Sequence, residues 1–216
     1  MKMTKRFSWH SKSGGYAEDY LIKKFFPSLG LEFDKIQENN EEKNPDGWIL
    51  RNKQKIALTE IKLIKYHSKS NTAHSGVVRI TIDRPIQDAI SRAKKQFKSI
   101  KTNLPKILYL ILDDPFAKSK SILAAAFGPW ITIERAGKTV YNGPRGFHPI
   151  KKLKQDNKIL GNWLSAIICY IPDTEGYKLL IFTPQNMIDK IPKELMPTEA
   201  IQEKWEYSDK SIVKKK

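Results

Sequence analysis

Residues 45–64 read Pro45-Asp46-Gly47-Trp48-Ile49-Leu50-Arg51-Asn52-Lys53-Gln54-Lys55-Ile56-Ala57-Leu58-Thr59-Glu60-Ile61-Lys62-Leu63-Ile64, and their pattern decides the fold. Pro45-Asp46-Gly47 is a turn that leads into a strand at Trp48-Ile49-Leu50. Arg51 to Gln54 is a polar hairpin connection, and Lys55 to Ile64 is a second, longer strand. Side chains at i and i+2 of a strand project from one face, so Glu60 and Lys62 project together. If the two strands pair, Asp46 can approach that face. Two carboxylates and an ammonium then converge.

These residue types suit phosphodiester hydrolysis, which places negative charge on an already anionic phosphorus centre. The hard carboxylate oxygens of Asp46 and Glu60 can hold Mg²⁺ beside a substrate phosphate, with Mn²⁺ as the expected substitute and the Ile61 carbonyl as an added ligand. The metal polarises the phosphoryl oxygen and acidifies bound water. Lys62 can orient the attacking water or stabilise developing charge. It can act as a base only with a depressed pKa.

Working outward, Ser13 can cap a helix over Tyr16 to Phe26, with Ala17, Leu21 and Phe25 on one face and Pro27 and Gly30 as its stop. Glu18 lies near the edge of that face. Glu38 to Asn44 is a polar loop. After the hairpin, Lys65 to Gly76 is a polar loop carrying His67 and His74, and Val77–Ile82 reads as a short strand. A helix from about Pro85 to Ile100 follows, with Ile86, Ala89, Ile90, Ala93 and Phe97 as its apolar stripe. Lys106–Leu112 is a near-continuous apolar run, as expected of a strand buried on both faces.

The second half is less regular. Ser121–Phe127 suits a strand or a short helix, and Trp130–Glu134 forms a hairpin with Thr139–Tyr141. Ala166–Ile171 and Tyr177–Phe182 pair as strands, Thr198–Trp205 reads as a short helix, and Lys214 to Lys216 is expected to fray.

Pro45-Asp46, thirteen intervening residues and Glu60-Ile61-Lys62 resemble the motif of the PD-(D/E)xK nucleases, the superfamily of restriction endonucleases, junction resolvases and many repair nucleases. The order helix, hairpin, helix, strand over residues 14–113 matches that family's core. The resemblance implies an α/β fold: a central mixed β-sheet flanked by helices, with a restriction endonuclease-like core at 1–115 and a strand-rich C-terminal extension at 116–216. The extension is expected to belong to the same domain and to supply target recognition. It also implies a metal-linked role for Glu18, a supporting role for Gln87 or Lys94 on the following helix, and a homodimer, because two strands need two sites. Glu41-Glu42-Lys43 and Asp156-Asn157-Lys158 also fit acidic-x-Lys, but both lie in polar stretches without a strand. Only residues 45–62 have the order, spacing and apolar flanks together.

The composition agrees with a nucleic-acid partner. With 39 Lys and Arg against 23 Asp and Glu, the 216-residue chain carries a formal net charge of +16, a field that draws polyanions. The expected substrate is DNA, with RNA as an alternative. Lys65, Lys69, Lys94, Lys98, Arg145, Lys151 and Lys152 are the expected phosphate and base contacts. One cysteine, Cys169, excludes an internal disulfide and a cysteine metal cluster. Its apolar neighbours make it a core residue. Gly14-Gly15 lacks the lysine and spacing of a phosphate-binding loop, which excludes ATP-driven chemistry. The basic start (Lys2, Lys5, Arg6) has no signal-peptide run after it, and the longest apolar runs are too short to span a bilayer. The expectation is a soluble cytoplasmic protein without a membrane partner. The rival readings are a junction-resolving, repair or RNA-processing nuclease with the same residues, and a binding protein that uses its lysines alone.

Overall fold

The computed structural model describes residues 15–37, 44–65, 83–113, 119–128, 130–144, 163–173, 176–207 and 212–215. The helical segment α1 begins at Gly15–Tyr20, continues through a π-helical stretch Leu21–Phe25 and ends at Phe26–Ser28. Then come β1 (Glu32–Lys35), β2 (Gly47–Arg51), β3 (Gln54–Lys65), α2 (Asp83–Ser99), β4 (Lys106–Asp113) and α3 (Ser119–Phe127). The chain continues with β5 (Trp130–Arg135), β6 (Lys138–Pro144), β7 (Ala166–Asp173), β8 (Gly176–Pro184), β9 (Ile201–Tyr207) and β10 (Ile212–Lys215).

Among the described residues, eight strands form one mixed sheet in the order β1-β2-β3-β4-β7-β8-β9-β10, while β5 and β6 form a separate pair. β3, β4 and β7 run parallel at its centre, and β1–β2, β2–β3 and β7–β8 are antiparallel. Because β4 pairs with β7, strands β7 to β10 extend the sheet that carries the motif.

Strand alternation divides the core in two. Leu58, Leu108, Leu110, Leu112, Ile167 and Cys169 face one way and pack with Ile86, Ile90, Ala93 and Phe97 of α2 and Ile122, Leu123 and Ala126 of α3. Ala57, Ile61, Ile107, Tyr109, Ile111 and Ile168 face the other way, against Leu21, Phe25 and Phe26 of α1 and against Ile191 and Leu195. With helices on both faces, the central strand must be apolar at every position, and Ile107 to Leu112 are each at most 1% exposed. The protein is therefore α/β, with a central mixed sheet flanked by helices.

The turn between β2 and β3 places Asn52 and Lys53 at φ of 50° and 64°, the double left-handed geometry of a type I′ hairpin. Ser121–Phe127 resolves as helix, within α3. Two expectations are corrected near the C-terminus. Thr198–Trp205 is not a helix: a 3₁₀ turn spans Thr198–Ala200, and Ile201–Tyr207 is β9, parallel to β8. The open edge of β8 offers a ladder of hydrogen bonds, which outweighs a weak local preference. Lys214 and Lys215 are likewise not frayed but lie in β10, paired with Trp205 and Lys204 of β9. No helix among the described residues is long and apolar enough to cross a membrane.

Candidate active site

The β2–β3 ladder ends at the pair Gly47↔Thr59. One residue earlier on β2's side stands Asp46, and beyond Thr59 the β3 edge has no β2 residue opposite it. The Asp46 side chain fills the role of the missing strand: its Oδ2 accepts a hydrogen bond from the Ile61 N–H at 2.6 Å. Such a charge-assisted bond is among the stronger ones a backbone amide makes. An extended residue turns its N–H and C=O toward the same neighbour, so the Ile61 carbonyl faces the Asp46 side. In return the Asp46 N–H donates to Glu60 Oε2 at 3.0 Å, and the Asp46 carbonyl accepts from the Ile36 N–H at 3.0 Å. The three motif positions are thus tied by both side chain and backbone.

Gly47 is what allows β1 to lie so close. A Cβ there would stand 2.5 Å from the Asp34 carbonyl oxygen and 2.5 Å from the Phe33 ring. Any larger residue at position 47 would push β1 away from the segment that carries Asp46.

Glu60 shares its face of β3 with Leu58, beneath α2, and is fully buried. Its Oε1 accepts no directed hydrogen bond; the Lys62 ammonium forms an ion pair with it. Burial pushes the Glu60 carboxyl up to about 7, with the Asp46 charge adding to the rise and Lys62 opposing it. Asp46 is also raised by burial, against the stabilising pull of the Ile61 N–H and Lys62.

Glu18 of α1 joins this cluster. Its carboxyl is raised by burial and then by the Asp46 charge, which puts the two acids in one field. Leu21, Phe25 and Phe26, all buried against the sheet, hold the helix in place, with the Phe25 ring edge-on to Tyr170 at 5.3 Å. Lys35, at the end of β1, lies 3.7 Å from Glu18 Oε1 and lowers both Glu18 and Asp46. Sequence reasoning missed Lys35, because Glu32–Lys35 is a short polar strand without an apolar alternation to announce it.

Three carboxyls (Glu18, Asp46, Glu60) therefore stand in one electrostatic neighbourhood with two ammoniums (Lys35, Lys62). The acids outnumber the cations, each acid is raised above its ordinary value, and the fully buried Glu60 has Lys62 as its one ion-pair partner among the described residues. That donor set fits a hard divalent cation. It is not a finished cage: among the described residues no three His, Cys, Asp or Glu side chains already surround one point. Asp46 Oδ2 and Glu60 Oε2 are turned to backbone amides instead.

The remaining expected residues fall as follows. Lys94 and Lys98 lie on α2, half-buried and exposed respectively, and Arg92 and Lys95 beside them are exposed. Lys65 closes β3. Lys69, Arg145, Lys151 and Lys152 lie outside the described residues, as do His67 and His74. Gln87 is half-buried near the start of α2, roughly 13 Å along the axis from Gln96 at about 1.5 Å per residue. It is Gln96, which sequence reasoning passed over, whose amide reaches the motif segment, donating to the Asn44 carbonyl at 3.1 Å. Cys169 is buried in the core, as its apolar neighbours implied.

The chain matches no protein-family model, no curated protein and no solved structure, so the reading of this site rests on its own residues and geometry.

Proposed function

We propose that this protein is a Mg²⁺-dependent nuclease of the PD-(D/E)xK type that hydrolyses phosphodiester bonds in DNA, with a restriction-type endonuclease as the leading form. The observation that carries the proposal is the junction of Asp46, Glu60 and Lys62. Asp46 Oδ2 accepts from the Ile61 N–H, the Asp46 N–H donates to Glu60 Oε2, and Lys62 pairs with Glu60. This is the convergence that the motif requires, at the edge where the hairpin ladder ends.

In this reading Asp46, Glu60 and the Ile61 carbonyl would hold the cation, with Glu18 adding to the negative field beside Asp46. When bound, the cation neutralises phosphate charge and makes water more acidic. The chain's own groups do the rest. Glu60 fixes the Lys62 ammonium, which is 27% exposed in its side chain and so can meet both the site and a substrate from solvent. Lys62 orients the attacking water and stabilises charge that develops on the phosphoryl oxygens. Arg92, Lys94, Lys95 and Lys98 give α2 a basic face for backbone phosphates, where contacts supply affinity without reading sequence. β7 to β10 extend the same sheet and, with the separate β5–β6 hairpin, are the proposed source of target recognition. A homodimer would deliver two sites to two strands. The lone Cys169 suits work in a reducing cytoplasm.

The test is cleavage of supercoiled plasmid with Mg²⁺ or Mn²⁺, against EDTA and against Asp46→Ala and Lys62→Ala. Cutting by the wild type, abolished by EDTA and by both folded variants, is the expected result. Discrete bands would mark sequence-specific cleavage, and preferential loss of an RNA substrate would move the assignment to RNA processing. Binding without cleavage of duplex, branched, single-stranded or RNA substrates would overturn the catalytic reading.

A further inference from the structure

We propose that Gln96 of α2, acting through Asn44, is a positioning residue for Asp46 and sets the affinity of the site for its metal. This rests on the metal-site reading above and goes beyond it.

The helix is a firm anchor. Ile86, Ile90, Ala93 and Phe97 are fully buried along its sheet-facing side. Its C-terminal end is locked to the start of β4, because Lys106 Nζ donates to the carbonyls of Phe97 at 2.7 Å and Ile100 at 3.0 Å. From that end two side chains reach the segment before the motif. Gln96 Nε2 donates to the Asn44 carbonyl at 3.1 Å, and Ser99 Oγ lies 3.0 Å from Asn44 Oδ1. Ser99 Oγ also lies 2.8 Å from the Gln96 carbonyl, so its one proton is shared between two acceptors.

Asn44 is two residues from Asp46, and the residue between them is the buried Pro45. The proline ring fixes its own φ and restricts the residue before it. Few free torsions therefore separate the tethered carbonyl from the Asp46 carboxylate. The origin of the tether matters too. The hydrogen bonds that Asp46 makes to Ile61 and Glu60 use the carboxylate oxygens that a cation would compete for. Gln96 is neutral, lies outside that competition, and belongs to an element held by the core.

The experiment is calorimetric titration of Mn²⁺ into the full chain after EDTA treatment and removal of the chelator. It compares wild type, Gln96→Leu, Ser99→Ala and Ser99→Thr, with melting curves taken before metal is added. Gln96→Leu should weaken Mn²⁺ binding about threefold to tenfold, the worth of one hydrogen bond. Ser99→Ala should weaken it less, and Ser99→Thr, which keeps the hydroxyl, should restore it. A purely structural role would lower the melting temperature and leave the Mn²⁺ affinity of the folded protein unchanged, and that result overturns the proposal. If Gln96→Leu does not fold, equal affinities for Ser99→Ala and Ser99→Thr overturn it instead. Wild type that binds no Mn²⁺ removes the metal site itself, and with it this inference. Wild type that binds, with variants that bind equally, removes this inference alone.

Discussion

Replacing Glu60 by glutamine should make the metal-free protein more stable at pH 8 but not at pH 5. Glu60 is fully buried, and burial together with the Asp46 charge lifts its carboxyl from 4.5 to about 7. The folded state therefore holds a proton more tightly than the unfolded chain does. Between pH 4.5 and about 7 Glu60 keeps a proton in the folded protein that it has lost in the unfolded chain, so its contribution to stability falls as pH rises through that window and is flat on either side. At about 1.36 kcal/mol per pH unit, the full loss above pH 7 is about 3 kcal/mol. Glutamine is nearly the same size, cannot ionise, and can keep the bond from the Asp46 N–H through its amide oxygen. Lys62 opposes the rise, so the value of about 7 already contains its ion pair, and the expected net gain at pH 8 is about 3 kcal/mol. For a chain of this size that raises the melting temperature by roughly 6–12 °C. The assay is thermal unfolding of both proteins in EDTA from pH 4.5 to 8.5. A difference that is independent of pH, or a Glu60→Gln protein less stable at pH 8, would refute the claim that burial of Glu60 outweighs what Lys62 and the Asp46 N–H give back. Mn²⁺ added at pH 8 should stabilise the wild type and leave Glu60→Gln nearly unchanged, because a ligand stabilises only the state it binds.

Lys62→Ala should lower the cleavage rate about 100-fold or more while retaining Mn²⁺ binding in a calorimetric titration, because its role is to stabilise charge rather than to ligate. Mn²⁺ affinity of the wild type should rise with pH up to about 7, where Glu60 loses its proton, and level off above it; isothermal titrations at pH 6, 7 and 8 would show this. Gly47→Ala should cost about 1–3 kcal/mol in chemical denaturation, because its Cβ would stand 2.5 Å from the Asp34 carbonyl oxygen. Replacing both Lys94 and Lys98 by glutamate should weaken duplex binding and flatten its dependence on salt by up to about two counterions, measured by fluorescence anisotropy across a salt series.

The sequence by itself determined the local elements whose periodicity is strong. Ile107 to Leu112 could only be a strand covered on both sides, since apolar residues at every position leave no face for water. The stripe Ile86, Ala89, Ile90, Ala93, Phe97 could only bury one side of a helix. The spacing of Asp46, Glu60 and Lys62 around a hairpin was legible too, because strand alternation and a short turn fix which side chains can meet. Tertiary structure decided what depends on neighbours distant in sequence. Ile201–Tyr207 became a strand because the edge of β8 was open to it, which no local preference reports. Lys35 entered the site because β1 pairs with β2, and Gln96 touched the motif because α2 ends beside Asn44. The carboxyl of Glu60 rose to about 7 for the same kind of reason. A residue's type sets its ordinary pKa, but the water it loses and the charges beside it are set only when the sheet, the hairpin and the helix close around it.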